Sequence, residues 1–540
     1  MELLTNKTLW EGFDACAEQL DVTVARISID EKFTFKKIYF TGRTFASGRK
    51  TRVCASICHP NKKTSKAVLL VGESNKVSLQ DLCDIAQNGF LAMAVDVDGR
   101  TENGCRTVFP EEVDYCNAIA NKDLFFFDGT MRNSKLYEQS LCCMRAITYL
   151  AECENVQAIS VVTIGNYSTV GAIVCAQDNR VTNGMFLFGA LNVDYPDEDI
   201  VVDDKASLQD QFAHDDKSQA WTMGLAPQSY LINITVPVYV VNSANSHLVD
   251  VVEVSKSFNR LNDQSRLLIV PDLFDCVDAR YVKNIINWCK GVTAQQDYDL
   301  DYFEQNGDYF VRVKTSASLA DTSVWYCTNE NLRAKHWVQA KLQQTDDGYV
   351  AKLDLYESNC NVVAFAQIAG KVTVSSTLLE IPVQNANVKM ANSIVFTGEG
   401  DYELIAVSDP HVWMFTKSEP KLKKGYLDIV GAQGNCLATF ALADASVKKN
   451  SSFAVSFDIC ATEQQPLTIA VVCNYGITND VYVATKQLVG DGKWQRITVE
   501  TADFFSNNRE RSKSMPTEQL PQLLVLKSQQ TFLVNNVILV

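Results

Sequence analysis

The feature that most constrains this chain is an apolar run that breaks at a glycine and resumes at helical spacing, AISVVTIGNYSTVGAIVCA at residues 158–176. Its β-branched first half predicts a buried strand, and Gly165 predicts a sharp turn into a helix. In a parallel α/β sheet, such a turn raises one side chain above the carboxyl end of the strand, where a nucleophile elbow holds its serine. Here that position is Tyr167, a phenol that is weakly nucleophilic at neutral pH.

Buried strands alternate with helices on both sides of this stretch. Apolar runs at 67–72 and 90–100 flank a helical pattern at 81–89, and apolar residues recur every three or four positions at 137–152. This alternation predicts a parallel sheet with right-handed crossovers. Three strand patterns with period-2 alternation within residues 1–65 predict an antiparallel leader. The later elements predicted for this sheet are strands at 184–190, 236–244 and 266–272 and a helix at 281–291.

Length and charge limit the class of protein. A chain of 540 residues is too long for one hydrophobic core and predicts about three domains. Apolar residues make up 46% and charged residues 21%, as in globular proteins. The net charge of -15 argues against a nucleic-acid or anionic-membrane partner. Because the first residues show neither a basic nor an apolar segment of a leader, we expect a cytoplasmic protein.

The 17 cysteines are an odd number spread along the chain, often within apolar patterns, so we expect free thiols in a reducing compartment. The chain has no Cys-x-x-Cys pattern, and its five histidines are far apart in sequence. We therefore predict no metal site and no cofactor.

Residues 1–291 resemble the α/β-hydrolase fold, and within it the acetylxylan esterase and cephalosporin-C deacetylase group. The resemblance is carried by the leader strands and by AVLLVG, GFLAMAVDVDGR, YEQSLCCMRAITYLAE, GNYSTVGAIVCAQDNRV and VPVYVVNSANSHLVD. It implies an ester hydrolase with a serine in the elbow, an aspartate after the strand that VPVYVVNSA resembles, and a histidine after the last strand.

Carrying that triad over by position implies that it is lost. The nucleophile position is Tyr167, the acid position is Ser246, or Asn245 with a one-residue shift, and the histidine position is Asp275. Catalysis by such a triad needs an imidazole that accepts and returns the serine proton near neutral pH. Neither a carboxylate nor a phenol does so, and we predict no catalytic residues at these three positions.

An active alternative remains open. It would use Ser168 as nucleophile with His247 as base and Asp250 or Asp275 as the orienting carboxylate. The turn would have to shift by one residue, and the Ser168 side chain would then point back along the helix. The competing interpretation of His247 is a histidine in a loop or at a helix start.

The chain beyond residue 291 changes to short strands with turn signals. Residues 292–384 predict a β-sandwich of immunoglobulin-like type. Within residues 385–540, GDGKWQRITVETADFF and the final LVNNVILV resemble the closing strands of jelly-roll carbohydrate-binding modules, with Trp494 as a packing residue. This resemblance implies sugar binding by exposed aromatic side chains. The candidates are Trp413, Phe415, Tyr426 and Tyr475, and the competing interpretation places them in a core or a domain interface.

Three hypotheses follow. The first is a non-catalytic protein of esterase ancestry that serves as a glycan-binding, scaffold or assembly protein. The second is a carbohydrate esterase that uses Ser168 and His247, and the third is a self-assembling structural subunit. The expected partners are a carbohydrate or an acetylated small molecule, a protein, or further copies of the chain, with neither nucleic acid nor membrane among them.

Overall fold

The computed structural model describes most of the chain in two compact units. The described residues are 3–540 without 73–77, 101–104, 121, 195–215, 247–248, 272–278, 293, 295–297, 329–333, 399–404, 408–416, 419, 449–452, 476–477, 508–513 and 518. The first unit comprises Met1–Val241, Glu253–Leu267 and Ile285–Val292. The second comprises Asn242–Val252, Leu268–Asn284 and Thr293–Val540.

The elements of the first unit alternate as the sequence predicts. They are β1 (Thr23–Ile29), β2 (Phe33–Thr44), β3 (Lys50–Pro60), β4 (Lys66–Val71), α1 (Leu79–Gln87), β5 (Leu91–Asp96), β6 (Phe127–Asp128), β7 (Thr130–Ser134), α2 (Lys135–Glu152), β8 (Ala158–Ile164), α3 (Ser168–Gln177), β9 (Val181–Leu187) and α4 (Asp216–Gly224). Four further elements have residues in both units: β10 (Val238–Ser243), α5 (Val251–Phe258), β11 (Arg266–Val270) and α6 (Ala279–Cys289).

The sheet of the first unit joins an antiparallel leader to a parallel core. Its strand order is β1-β2-β3-β5-β4-β8-β9-β10. Strands β1, β2, β3 and β5 pair antiparallel in that order, whereas β5, β4, β8, β9 and β10 pair in parallel. Leu69 in β4 lies between Met93 and Val161 in this register. The predicted antiparallel leader and parallel sheet are confirmed.

The second unit is almost entirely built from strands. They are β12 (Tyr298–Gln305), β13 (Asp308–Thr315), β14 (Thr322–Cys327), β15 (Val338–Gln339), β16 (Leu342–Thr345), β17 (Gly348–Lys352), β18 (Cys360–Ile368), β19 (Val374–Ser375), β20 (Leu379–Val383), β21 (Ile394–Phe396), β22 (Ile405–Val407), β23 (Lys417–Ser418), β24 (Lys421–Lys424), β25 (Val430–Thr439), β26 (Ala454–Cys460), β27 (Gln465–Cys473), β28 (Asp480–Leu488), β29 (Trp494–Glu500), β30 (Phe505–Ser506) and β31 (Leu523–Leu539).

Two separate hydrophobic cores lie in this unit. The first is shared by the four-stranded sheet β12-β13-β17-β16 and by β14, β18 and β20, and it contains Val311, Val324 and Ile381. The second lies among β21 and β25–β31 and contains Phe457 and Leu526. Because neither core draws on an α-helix, the prediction of β-rich structure beyond residue 291 is confirmed.

Candidate functional site

The turn after β8 is the point on which the sequence analysis depends, and the structure confirms its strand–turn–helix form. Gly165 has a φ of +62°, which a residue without a Cβ adopts at no steric cost. Residues 165–167 form one 3₁₀ turn, and α3 begins directly at Ser168. Tyr167 itself has a φ of -72° and a ψ of -5°, which is relaxed right-handed backbone. The unusual conformation is therefore at Gly165 and not at the residue in the nucleophile position.

The hydroxyl group of Tyr167 is engaged in a buried polar cluster. It donates a hydrogen bond to Oδ2 of Asp98, which follows β5. Gln139 Nε2 donates to Oδ1 of the same carboxylate at 2.6 Å, and Lys135 Nζ lies 3.7 Å from that oxygen. Burial raises the pKa of Asp98, and Lys135 and Gln139 partly oppose that rise. The cluster of Tyr167, Asp98, Gln139 and Lys135 is called the elbow cluster below.

Local structure explains why α2 reaches the elbow cluster. Ser134 caps this helix by accepting a hydrogen bond from the backbone N–H of Tyr137 at 3.1 Å, which fixes where α2 begins. Lys135 and Gln139 then lie four residues apart, on one face of the helix. Asp98, Gln139 and Lys135 were not among the site residues predicted from the sequence. The available signal was an aspartate directly after a buried strand, at the edge where side chains of parallel sheets converge.

The elbow cluster contains a phenol, a carboxylate, an amide and an ammonium group. Among the described residues of the first unit, the one histidine is His59, which lies 3.6 Å from Glu154 and outside this cluster. Burial lowers the pKa of His59. The described cluster therefore offers hydrogen bonds and charge but no imidazole to shuttle a proton.

Ser168, the alternative nucleophile, is fully buried at the first residue of α3. Its Oγ has no hydrogen-bond partner among the described residues. A Cβ atom added to Gly189 would overlap this Oγ, so the backbone of Gly189 packs directly against it. The described residues around Ser168 therefore close its hydroxyl off from a substrate. His247 and Asp275, its proposed partners, lie outside the described residues.

The remaining triad positions that the structure describes belong to the second unit. Ser246 is buried, and its Oγ accepts a hydrogen bond from the backbone N–H of Val249 at 3.0 Å. Asp250 accepts one from Val252 at 2.8 Å, at the start of α5. Asn245 is buried and donates from Nδ2 to the carbonyl of Lys335 at 2.5 Å. These contacts organise the backbone after β10, which is a structural use of all three side chains.

The described aromatic candidates for sugar binding differ in exposure. Tyr475 is 2% exposed, packs edge to face on Phe440 at 5.0 Å, and donates its hydroxyl to the carbonyl of Asn245 at 3.1 Å. Its ring cannot serve as an exposed platform, because it fills the interior of the second unit. Tyr426 is 45% exposed. Trp413 and Phe415 lie outside the described residues.

The residue Trp494 supports the segment that carries Tyr426. Its Nε1 donates to the carbonyl of Tyr426 at 2.9 Å. A Cβ on Gly425 would lie 2.9 Å from the indole ring, so the ring packs on glycine backbone. The packing role predicted for Trp494 agrees with these contacts.

Two other classes of site are absent from the described residues. No group of three or more histidine, cysteine, aspartate or glutamate side chains there is arranged to hold a metal ion. In the same part of the chain, no helix has both the length and the apolar character needed to cross a bilayer.

Comparisons with known proteins find structural likeness alone. No family model matches the chain, and no curated protein is similar in sequence. An acetyl xylan esterase from Thermoanaerobacterium sp. is 12% identical with a TM-score of 0.40, covering 54% of this chain and 94% of its own. An acetyl xylan esterase from Paenibacillus sp. is 16% identical with a TM-score of 0.38, covering 53% of this chain and 92% of its own.

A glucuronoyl esterase from Solibacter usitatus is 13% identical with a TM-score of 0.36, covering 53% of this chain and 91% of its own. These likenesses are distant in sequence.

Proposed function

We propose that the first unit is a catalytically inactive α/β-hydrolase-like unit and that the protein acts by binding, as a scaffold or assembly protein. The observation that carries this proposal is the hydrogen bond from Tyr167 to Asp98. It occupies the hydroxyl in the nucleophile position and holds it in a buried cluster with Gln139 and Lys135. A hydroxyl that donates to a fixed carboxylate, with no imidazole beside it among the described residues, is arranged for stability and not for attack on an ester.

The all-β part supports the binding role. We propose an immunoglobulin-like sandwich at 292–384 and a jelly roll at 385–540, because the residues of one core, apart from Ala386, lie in the first range and those of the other core lie in the second. Of the four aromatic candidates, Tyr426 combines a described position with an exposed ring. If the jelly roll binds a carbohydrate, Tyr426 is the side chain that we expect to stack on it.

The second candidate function is ester hydrolysis by Ser168 and His247. One observation favours it: the Ser168 Oγ is a buried hydroxyl without a hydrogen-bond partner among the described residues. Buried polar groups are usually satisfied, so such a hydroxyl invites a functional explanation. The substrate class would then be a carboxylic ester, as the resemblance implies.

One experiment separates the two candidates. Hydrolysis of 4-nitrophenyl acetate is measured for the full chain and for Ser168→Ala, His247→Ala and Ser140→Ala. Ser140 is the matched control, since it is another buried serine whose Oγ has no described partner. We expect all four proteins to show only the uncatalysed rate. Turnover that Ser168→Ala and His247→Ala abolish and Ser140→Ala preserves would establish the esterase and overturn our proposal.

A gain-of-function variant tests the same proposal from the other side. Tyr167→Ser restores a hydroxyl at the nucleophile position but supplies no base, since the histidine position of the family is Asp275 here. We expect no turnover by this variant. Hydrolysis well above the uncatalysed rate would show that a base is present and would overturn the proposal of an inactive unit.

A further inference from the structure

Strand β1 is an exposed sheet edge with aliphatic side chains. It pairs with β2 on one side, and the described residues place no strand on its other side. Every residue of β1 is exposed, including Val24 at 49%, Ile27 at 55% and Ile29 at 75%. Soluble proteins usually protect such edges with charges, prolines or bulges, because an unpaired edge binds another strand. The bulge near Val24 protects the beginning of β1 and leaves residues 26–29 in regular register, and Asp30 continues the hairpin through its hydrogen bond to Phe33.

The free backbone groups of this edge can be assigned. The backbone N–H of Asp30 donates to the carbonyl of Phe33, across the hairpin to β2. Backbone groups of alternate residues in an antiparallel strand point to the same side. Ser28 and Arg26 therefore also face β2, whereas the N–H and C=O groups of Ile27 and Ile29 point away from it.

Residues 26–30 read Arg-Ile-Ser-Ile-Asp, a sequence that is complementary to itself when it is reversed. If a two-fold axis passes between Ser28 of one copy and Ser28 of the other, Ile27 of each copy pairs with Ile29 of the other. Arg26 of each copy then faces Asp30 of the other. The pairs formed by Ile27 and Ile29 are then the hydrogen-bonded ones, which matches the groups left free by β2. The pairs of Arg26 with Asp30 are the closely spaced ones, where opposite charges attract most strongly.

We propose that β1 is a dimerisation edge, on which a second copy of this chain pairs antiparallel through residues 26–30. The proposal deepens the scaffold role proposed above but depends on β1 alone. Hydrolytic activity of the chain would overturn the inactive-enzyme proposal and leave this one standing. A chain that is monomeric and has no hydrolytic activity would overturn the dimer proposal and leave the inactive-enzyme proposal standing.

The faces of the sheet are consistent with this pairing. Ile27 and Ile29 lie opposite Lys36 and Thr34 of β2 and therefore project from the same face of the sheet. A two-fold axis perpendicular to the sheet keeps that face on the same side in both copies. Four isoleucine side chains, two from each copy, then meet in one patch on that face. Cross-strand aliphatic contacts of this kind stabilise antiparallel pairs.

The small size of the paired segment sets the expected strength. Five residues from each copy bury far less than the roughly 800 Å² per partner of a standard stable interface. We therefore expect a weak dimer with a dissociation constant above about 1 μM. Sedimentation equilibrium of the full chain should show a mass that rises with concentration, from 60.1 kDa towards twice that value.

Charge exchange tests the register. Arg26→Asp places a second carboxylate opposite Asp30 at two symmetric positions, and we expect association to weaken by about tenfold or more. Asp30→Arg should weaken it similarly. An equimolar mixture of the two single variants should associate again, because each contact then joins unlike charges. Lys63→Asp is the control, since it makes the same charge change at an exposed residue outside β1.

A second variant guards against loss of the hairpin, because Asp30 Oδ1 also accepts hydrogen bonds from the backbone N–H groups of Lys32 and Phe33. Ile29→Pro removes an outward-facing donor without removing a bond to β2, and it should abolish the dimer. A chain that stays monomeric up to about 1 mM would overturn the proposal, since even weak interfaces associate there. So would a dimer that neither Arg26→Asp nor Ile29→Pro weakens.

Discussion

Replacing Arg43 by methionine should leave Glu138 as a buried carboxylate without its cation. Glu138, in α2, is 0% exposed. Its Oε2 lies 2.9 Å from Nη2 of Arg43, and Oε1 accepts a hydrogen bond from Thr51 at 3.0 Å. Breaking a fully buried ion pair by removing one partner costs about 3–5 kcal/mol. The Arg43 side chain is 26% exposed. We therefore expect a loss of about 2–3 kcal/mol at neutral pH.

The loss of stability caused by Arg43→Met should depend on pH, and the ionisation of Glu138 sets the direction of this dependence. Burial raises the pKa of this carboxyl above its usual value of 4.5, although Arg43 and Thr51 oppose the rise. Without Arg43, the pKa should rise further. The folded state then binds the proton more tightly than the unfolded state, so stability is greatest below the unfolded pKa and decreases as pH rises through the folded pKa. The destabilisation by Arg43→Met should therefore be larger at pH 8 than at pH 5.

The assay must report on α2, because a chain of two units does not unfold in one step. Amide hydrogen exchange of peptides covering α2, measured at increasing denaturant concentration, gives the local free energy of opening. The control is Arg43→Met in a Glu138→Gln background, where no buried charge remains and the cost should fall below about 1 kcal/mol. An equal cost in both backgrounds, or a cost that does not change between pH 5 and pH 8, would refute the reasoning.

Two further predictions concern backbone positions. Gly189→Ala should destabilise the α3 region by about 3 kcal/mol, because its Cβ would overlap Ser168 Oγ. Amide hydrogen exchange of peptides that cover α3 measures this loss of stability. Gly370→Ala is the control and should have little effect on stability, because its Cβ would lie 3.5 Å from its nearest neighbour. Leu427 has a φ of +60°, which strains a branched side chain. Leu427→Asn should therefore stabilise the second unit by about 0.5–1 kcal/mol in denaturant unfolding, and a decrease in stability would contradict the strain argument.

The strands and helices of the parallel core could be predicted to within a few residues. The stretch predicted as a strand at 67–72 is Lys66–Val71, and the helix predicted at 137–152 is Lys135–Glu152. A continuous apolar run defines the strand and apolar residues recurring every three or four positions define the helix, so the local sequence suffices for both. The turn at Gly165 was predictable for the same reason, because only glycine takes a positive φ without steric cost.

The environment of the candidate site could not be predicted in this way. Tyr167 was identifiable by its place in the turn, but its partner Asp98 lies 69 residues earlier in the chain. Tyr475 was a candidate surface platform, with a core or interface position as the competing interpretation; it is buried, and its hydroxyl donates to a carbonyl 230 residues away. Tyr475 lies in the turn after β27, and the residues next to it in sequence do not show whether its ring faces solvent or a distant segment.

The sequence by itself determined which segments become strands and helices and which side chain stands in the nucleophile position, since these depend on periodicity and on one glycine. Only the tertiary structure decided that this side chain is held by a buried aspartate and that Ser168 is enclosed by Gly189. It also decided that the aliphatic strand β1 lies at an open sheet edge. Such properties depend on contacts between residues far apart in sequence, which no local pattern encodes.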